Sequence, residues 1–563
     1  MPKAIERRVA GSPIEGLSPL MSRLYANRGV THSSEVDYSL KHMLSPDGLR
    51  GIDTAAELLA DAIQNQRHIM IVGDFDADGA TSCALLVQGF RDLRAGPVSY
   101  LVPNRFDYGY GLTPEIVDVA NLQSPDLIVT VDNGISSIDG VAHATSLGIK
   151  TIITDHHLPG HQLPDAAAIV NPNQPHCEFQ SKNLAGVGVS FYLLSAVRKQ
   201  LRQSNWFAEQ AEPNLAQYLD LVALGTIADV VPMDYNNRIL VNEGLRRMRA
   251  GRIRPGLAAL LRIAGTRIET VASMDLGFGV APRLNAAGRL EDISLGIDCL
   301  LAQDDNKAGD LATQLDQLNL ERRDIEKEMK QQALASLGSL EKFTTPNALM
   351  GVCLHEAEWH QGVVGIVASR IKDKIHRPVI AFASSGPNEL KGSARSIKGL
   401  HIRDALDAIA SQNPGLIEKF GGHAMAAGLT LAEDKFDTFA KAFDLEARRW
   451  LQEEDLAPVI LSDGPIGEDF TVELARELAQ SSPWGQGFPD PMFDDEFEIL
   501  DQRIVGGSHL KLKLAKVENG QVIDAIAFNQ GQLLESRYQT LAYRTDVNEF
   551  RGMITVQLIV EPR

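Results

Sequence analysis

Short β-branched runs recur through the first half of the chain, and several end in acidic or histidine residues. The runs are RHIMIVGD, VSYLVPNR, DLIVTVDNG, KTIITDHH and AAIVNPN, and helical patterns such as ATSCALLVQGF alternate with them. This alternation predicts an open, mostly parallel α/β sheet from about residue 50 to 300. The carboxyl ends of parallel strands share one edge, and that edge is where such sheets bind ligands. Asp74 and Asp76 end the first run, Asp132 ends the third, and Asp155, His156 and His157 end the fourth. LVALGTIADVVPM adds Asp229 beyond a helical stretch. Separate segments are therefore expected to converge on one crevice.

Asp74, Asp76 and Asp78 alternate in GDFDADG, and carboxylates so close resist ionising together. The string opens like a calcium loop, D-x-D-x-D-G. Such a loop follows a helix and needs a bidentate acid at its twelfth position. Here the preceding HIMIVG reads as a strand, and the twelfth position is Leu85. What remains is a strand, an acid-bearing turn and a helix.

The whole chain sets outer limits. Its 563 residues allow three or four domains. No apolar run is long enough to cross a bilayer, and MPKAIERRVAGSPIEG carries no hydrophobic signal segment. Cys83, Cys177, Cys299 and Cys353 are scattered without a C-x-x-C pair. They read as buried thiols of a reducing, cytoplasmic compartment. With 54 Lys and Arg against 73 Asp and Glu, the net charge is −19. That argues against a non-specific nucleic-acid coat and restricts any DNA binding to local basic clusters.

Residues 1–45 are expected to form a polar N-terminal extension, and 46–303 the parallel α/β domain. Residues 304–342 have no Pro and only scattered Gly, and Leu311, Leu315, Leu318 and Ile325 fit a helical stripe. They predict one long connecting helix with a solvated charged face. A second α/β unit follows over 343–455, containing KGSARSIKG and KFGGHAMAAG. From 460 to 563 short alternating strands (HLKLKLAKV, QVIDAIAFN, QTLAYRTDVNEF, MITVQLIVEP) predict a small barrel of the OB type.

Carboxylates with one or two imidazoles suit manganese or magnesium, and manganese accepts the imidazole more readily. Two such ions clamp a phosphoryl group and activate water for in-line attack. A carboxylate shared between them would relieve the repulsion. A single Asp at a strand end is more often a helix cap or turn residue. It is the convergence of several clusters in one sheet that favours metal.

GDFDADG, VDNG and DHH together resemble the DHH phosphoesterase superfamily, and GGHAMAAG resembles its accessory DHHA1 domain. NRFDYGYGL, APRLNAAGR, WHQGVVGIVASRI and SSPWGQGFPDP narrow the resemblance to the RecJ family of bacterial exonucleases. It runs from about residue 45 to the end, with the motifs in family order. It implies a DHH parallel-sheet domain, a long linking helix, a DHHA1 α/β domain and a C-terminal OB-fold β-barrel. It also implies metal-dependent 5′→3′ degradation of single-stranded DNA to mononucleotides in recombination and repair. Carried over by position, the metal ligands would be Asp74, Asp76, Asp132, His156 and Asp229, with Asp132 as the bridge. Asp78, Asp155 and His157 would stand beside them, orienting ligands or touching the scissile phosphate. Some relatives carry a histidine just before the first aspartate. Val72 and Gly73 stand there in this chain, which leaves one metal with fewer ligands. A single-strand-binding protein and a helicase are the partners the resemblance implies.

Arg105 and Tyr110 lie close together in VPNRFDYGYGL, and KGSARSIKG offers Ser393 and Arg395. On the family reading, Arg105, Ser393 and Arg395 make a pocket for the terminal 5′-phosphate, with arginine binding it bidentately. APRLNAAGRLED offers Arg283, Asn285 and Arg289 to hold the strand, or to form interdomain salt bridges instead. Gly421, Gly422 and His423 are expected in a loop that opens a helix, with backbone N–H groups facing an anion and His423 near the cleaved phosphate. In HEAEWHQ, His360 is one residue too far from His355 for a zinc-protease helix, so Trp359 and His360 read as interface residues. In the barrel, Arg503, His509, Lys511, Lys513 and Lys516 are expected on one strand face or nearby, with Phe528 and Tyr543 as stacking aromatics. Two other functions fit parts of this pattern: a DHH phosphodiesterase of short oligonucleotides or cyclic dinucleotides, and a non-catalytic scaffold.

Overall fold

The computed structural model describes residues 3–9, 11–103, 111–338, 348–550 and 552–561. Arg105 and Tyr110 lie outside the described residues.

The five apolar runs form five parallel strands, ordered Val98–Leu101, Ile69–Val72, Leu127–Val131, Lys150–Thr154 and Ala168–Val170. Their unbroken hydrophobicity follows from being covered on both faces. Ile69, Ile71, Val129 and Ile152 share one core with the helices Ile52–Gln64, Ala77–Asp92 and Gly186–Gln203. Met70, Val72, Ile128 and Ile153 point the other way, toward Ile116 and Val117 of Pro114–Asn121 and Val141 of Ile138–Ser146. Alternate side chains serve alternate faces, and Asp74, Asp132 and Asp155 are left beyond the carboxyl ends.

One helix of 33 residues, Asp305–Leu337, leads to the second α/β unit. At 1.5 Å per residue it is about 50 Å long. Ala308, Ala312, Leu315 and Leu318 pack in the first core, while Met329, Ala333 and Leu337 pack with the buried Trp359 in the second. Its charged face is not simply solvated. Asp316 binds Arg283 of the first domain at 2.8 Å, and Glu326 joins Arg322 to Arg370 of the second, each at 2.8 Å.

The second sheet runs Lys419–Gly422, Ala426–Ala432, Glu389–Arg395, Val379–Gly386 and Val352–His355, with the last two parallel and the others antiparallel. Gly421 and Gly422 therefore open no helix: they end one arm of a β-hairpin. Gly422 has φ 147°, and a Cβ there would lie 2.5 Å from the Ala426 carbonyl oxygen. The alternating burial along Ala426–Ala432 is a strand pattern.

The C-terminal strands Phe493–Val505, His509–Lys516, Val522–Ala527, Tyr538–Phe550 and Met553–Val560 close a barrel. Two sequence expectations fail here. Tyr543 is a core residue whose hydroxyl donates to Asp495 Oδ2 at 2.6 Å, not a stacking platform. Lys516 has the parity of Leu510, Leu512 and Leu514, so it points inward and pairs with Asp495 at 3.4 Å. Lys511 and Lys513 do share the outer face, and Phe528 is exposed and meets His509 edge-on.

The N-terminal extension is a strap. Its strand Ala4–Arg7 pairs in parallel with Val459–Ser462, which leads into the barrel domain. The buried Arg28 binds Asp463 through two hydrogen bonds of 2.9 and 3.0 Å.

Candidate active site

The acid-bearing turn is built by close packing rather than by a calcium ion. Asp76 caps the helix Ala77–Asp92, and its Oδ1 accepts from the backbone N–H groups of Asp78 at 2.9 Å and Gly79 at 3.0 Å, as a helix N-cap does. A Cβ on Gly79 would lie 2.4 Å from the Asp74 carbonyl oxygen, so the turn closes only on glycine. A Cβ on Gly73 would lie 2.3 Å from Cys83 Sγ, so no larger residue precedes Asp74 while Cys83 stands behind it.

Asp78 turns inward and accepts from the backbone N–H groups of Gly186 at 2.6 Å and Val187 at 2.9 Å, at the start of the helix Gly186–Gln203. Asp132 holds φ 61°, a left-handed conformation that aims its side chain away from the strand it follows. Asn133 fixes that turn from below, donating to the carbonyls of Val72 at 3.2 Å and Val131 at 2.8 Å. Asp229 is the C-terminal cap of the helix Leu219–Ala228, not a strand end.

Asp155 is saturated by its own segment and by the neighbouring loop. It accepts from the N–H groups of His156 at 2.7 Å and Ile135 at 2.9 Å, and from His157 Nδ1 at 2.7 Å. It positions both histidines and has little capacity left for a metal.

Three overlapping ligand sets result: Asp74, Asp76 and Asp132; Asp132, His156 and His157; Asp78, His156 and Asp229. Within each set the donor atoms lie within 4.8 Å of one another. His156 Nε2 stands 3.1 Å from Asp132 Oδ1 and 3.5 Å from Asp229 Oδ2. His156 Nε2 and Asp229 Oδ2 are buried with no hydrogen-bond partner among the described residues. Buried polar atoms are almost always satisfied, and donors converging in this way fit divalent cations of the manganese and magnesium class.

The electrostatics fit as well. Burial, followed by the charges of Asp78, Asp76, Asp74 and Asp229, pushes Asp132 well above the usual carboxylate range. Burial, Asp78 and Asp76 push Asp229 up likewise, and burial and Asp76 raise Asp78 to about 7. Burial and the neighbouring His157 drive His156 down to about 4, leaving a neutral imidazole. His157 goes the other way. Burial opposes its charge, but the hydrogen bond to Asp155 together with the charges of Asp155, Asp229 and Asp74 outweighs that and raises it to about 9. The site therefore holds a neutral donor beside a fixed cation.

His423 of the second domain faces His157 across the cleft, with ring centroids 6.1 Å apart and planes 22° apart. Ser393 and Arg395 sit together at 3.2 Å on the strand Glu389–Arg395, against Gly365 of the helix Val364–Ile375. Burial lowers the Arg395 pKa, and among the described residues no carboxylate pairs with it. The helix Ala281–Leu290 lies on the acid turn. Asn285 Oδ1 accepts from Ala77 N–H at 2.8 Å, and Gly288 packs against the Phe75 carbonyl. Arg283 pairs with Asp316 of the connecting helix, and Arg289 donates to the Gly362 carbonyl of the second domain at 3.0 Å.

Sequence reasoning gives no role to Asn133, Gly186 or Asn173, whose Nδ2 donates to the His156 carbonyl at 2.6 Å. Asn133 is visible only as a letter of VDNG, and Asn173 only as the residue after the NP turn. Gly186 shows no signal outside the fold.

The DHH family N-terminal domain matches residues 68–226, the DHHA1 domain 346–449 and the RecJ OB domain 465–562. The chain is 52% identical to the single-stranded-DNA-specific exonuclease RecJ of Escherichia coli strain K12, over 97% of this chain and 96% of that protein. The chain belongs to the RecJ family. RecJ of Salmonella typhimurium strain LT2 is also 52% identical, over 99% of this chain and 98% of its own. RecJ of Thermus thermophilus in complex with Mn2+ aligns with a TM-score of 0.80 at 30% identity, covering 100% of this chain and 79% of that one. Its Mg2+ complex aligns at 0.74 and 28%, covering 100% and 78%. No helix among the described residues is long and apolar enough to cross a membrane.

Proposed function

We propose that this chain is a metal-dependent exonuclease that degrades single-stranded DNA from its 5′ end to mononucleotides, in the cytoplasm. One observation carries the reading. Three ligand sets overlap through Asp132 and His156, so one carboxylate and one imidazole serve neighbouring positions, as a paired metal site requires. Asp74, Asp76, Asp132, His156 and Asp229 would hold manganese or magnesium, which would supply Lewis acidity and an activated water.

The remaining steps belong to the protein. Asp155 keeps His157 cationic and aims it into the cleft, where it donates to the non-bridging phosphate oxygens. His423 approaches the same phosphate from the second domain. Asp78 holds the helix Gly186–Gln203 against the metal ligands. The half-buried Arg395, which no carboxylate pairs with among the described residues, receives a terminal phosphate together with Ser393. Only a strand end fills such a pocket, which sets the polarity. The family resemblance adds Arg105 to this pocket, and implies a single-strand-binding protein and a helicase that supply the substrate.

A strand labelled at its 5′ end in one reaction and its 3′ end in another tests this, with manganese, magnesium or chelator. Labelled mononucleotide released at once from the 5′ end, and a shrinking ladder from the other label, are expected with metal only. Cleavage that survives Asp76→Ala, or that starts at the 3′ end, sinks the proposal. Cleavage of very short oligomers alone favours the small-nucleotide phosphodiesterases.

A further inference from the structure

Phe278 is 78% exposed, more than any other described aromatic. Isolated exposed apolar residues are common, so exposure alone means little. Its setting is unusual. It belongs to Asp275–Val280, a π-helical turn, a rare conformation that is frequent at functional sites. The turn is held at every point. Asp275 accepts from Thr266 Oγ1 at 3.1 Å and the Ala272 N–H at 2.8 Å, and the Gly279 carbonyl accepts from Arg283. Cβ atoms on the flanking glycines would lie 3.2 Å from Ile227 for Gly277 and 3.3 Å from Ala264 for Gly279. The backbone on both sides of Phe278 is pressed to the body while its ring stands in solvent.

The neighbours on either side are the two ends of a path. Ile227 lies in the last turn of the helix that Asp229 caps. Its carbonyl accepts from Val230 N–H at 3.3 Å, and Val230 is itself 62% exposed at φ 59°. A β-branched residue in that conformation is strained, and strain of this kind persists at functional sites. On the other side, Met274 meets Arg544 of the barrel at 3.9 Å. Phe278 thus stands between the metal ligands and the barrel. It precedes Asn285, the contact to the acid turn, by seven residues, roughly 10 Å along the helix and about three base-stacking steps.

The geometry points to Phe278 as a stacking residue that holds an unpaired base of the substrate on its way from the barrel to the metal site. This rests on the function proposed above and adds a specificity-determining residue to it. A rigid exposed ring suits any base, so the contact is sequence-tolerant. A strand of three nucleotides reaches it poorly or not at all.

The full-length enzyme with manganese is compared on a 5′-phosphorylated strand of about 30 nucleotides and on a trinucleotide, as wild type, Phe278→Ala and Phe278→Tyr. The wild type should prefer the long strand in kcat/KM. Phe278→Ala should lose about 5- to 100-fold of that preference through KM, the range stacking supports, and Phe278→Tyr should keep it. A preference unchanged in Phe278→Ala overturns the assignment, as does an equal loss on both substrates, which would mark a structural role. A wild type that cleaves neither substrate overturns the underlying function instead. In a metal-free binding experiment, a 2-aminopurine walked from the 5′ end should be quenched at one narrow register in wild type and not in Phe278→Ala. Quenching that is identical in both also overturns it.

Discussion

Gly186 presses its α-carbon onto Asp132. A Cβ added there would lie 2.7 Å from Asp132 Cβ and 2.9 Å from Oδ1. Asp132 cannot retreat easily, because its left-handed backbone is fixed by Asn133 and by its N–H bond to Thr154. Gly186→Ala should therefore displace the shared ligand rather than unfold the domain. The stability cost is about 1–3 kcal/mol. The expected fall in metal-dependent cleavage is on the order of 100-fold, the penalty of a 1 Å misplacement. Cleavage rate and circular dichroism on the same sample decide it: normal cleavage with a normal spectrum would refute the packing argument.

Metal binding should release protons and strengthen as pH rises. Burial and mutual repulsion keep Asp132 and Asp229 well above the usual carboxylate range, and Asp78 at about 7. The metal-free site therefore carries protons near neutrality that a cation must expel. Titration calorimetry with manganese at pH 7, in two buffers of different ionisation heat, should show net proton release, and the affinity should weaken steadily toward pH 6. Affinity independent of pH across that range would show that these carboxylates are already ionised without metal.

The parallel sheet and its converging acids are legible because both rest on local pattern: five β-branched runs, each short, with acids at fixed offsets. What the sequence hides depends on parity, on long-range packing or on torsion angles. Lys516 belongs to the inward set of HLKLKLAK, a one-residue difference in count. Tyr543 reads like any strand aromatic until Asp495, on a neighbouring strand, is seen to take its hydroxyl. Gly421 and Gly422 give equal support to a helix start and a hairpin, and only the partner strand separates them. Arg283 and Arg289 are legible as cations beside the acid turn, but their partners Asp316 and Gly362 are distant in sequence and show only in the fold.

His157 and Asp155 should stabilise the chelated protein within a definite pH window. His157 is raised from 6.5 to about 9, so its share is complete below the unfolded value and fades as pH climbs through the folded one. Burial opposes the Asp155 charge, but the His157 hydrogen bond, the charges of His157 and His156 and the Ile135 N–H bond together hold it below its ordinary value, so its share is lost only in strong acid. The melting-temperature gap between wild type and His157→Gln should be widest near pH 5–6 and shrink by about pH 9.5. A gap that widens in alkali would reverse the sign and remove the pair as its cause.

Arg28 and Asp463 anchor the N-terminal strap to the barrel domain, and both side chains are fully buried. Arg28 also stacks on Trp484 at 5.0 Å and donates to the carbonyls of Leu24 at 2.6 Å and Pro489 at 2.7 Å. Arg28→Ala would leave Asp463 with only Arg8, at 3.7 Å, as a cationic partner among the described residues. Breaking one side of a buried pair costs about 3–5 kcal/mol. That loss falls on the barrel's attachment, and neither Arg28 nor Asp463 belongs to the candidate ligand sets. Limited proteolysis should therefore cut near residues 452–465 in Arg28→Ala before it cuts the parallel-sheet domain. Manganese binding measured by calorimetry should be retained. Lys in place of Arg28 restores the charge without the two-pronged contact and should recover only part of the resistance. If the first cuts instead fall within the parallel-sheet domain, the strap is serving that domain's own core and not the junction with the barrel.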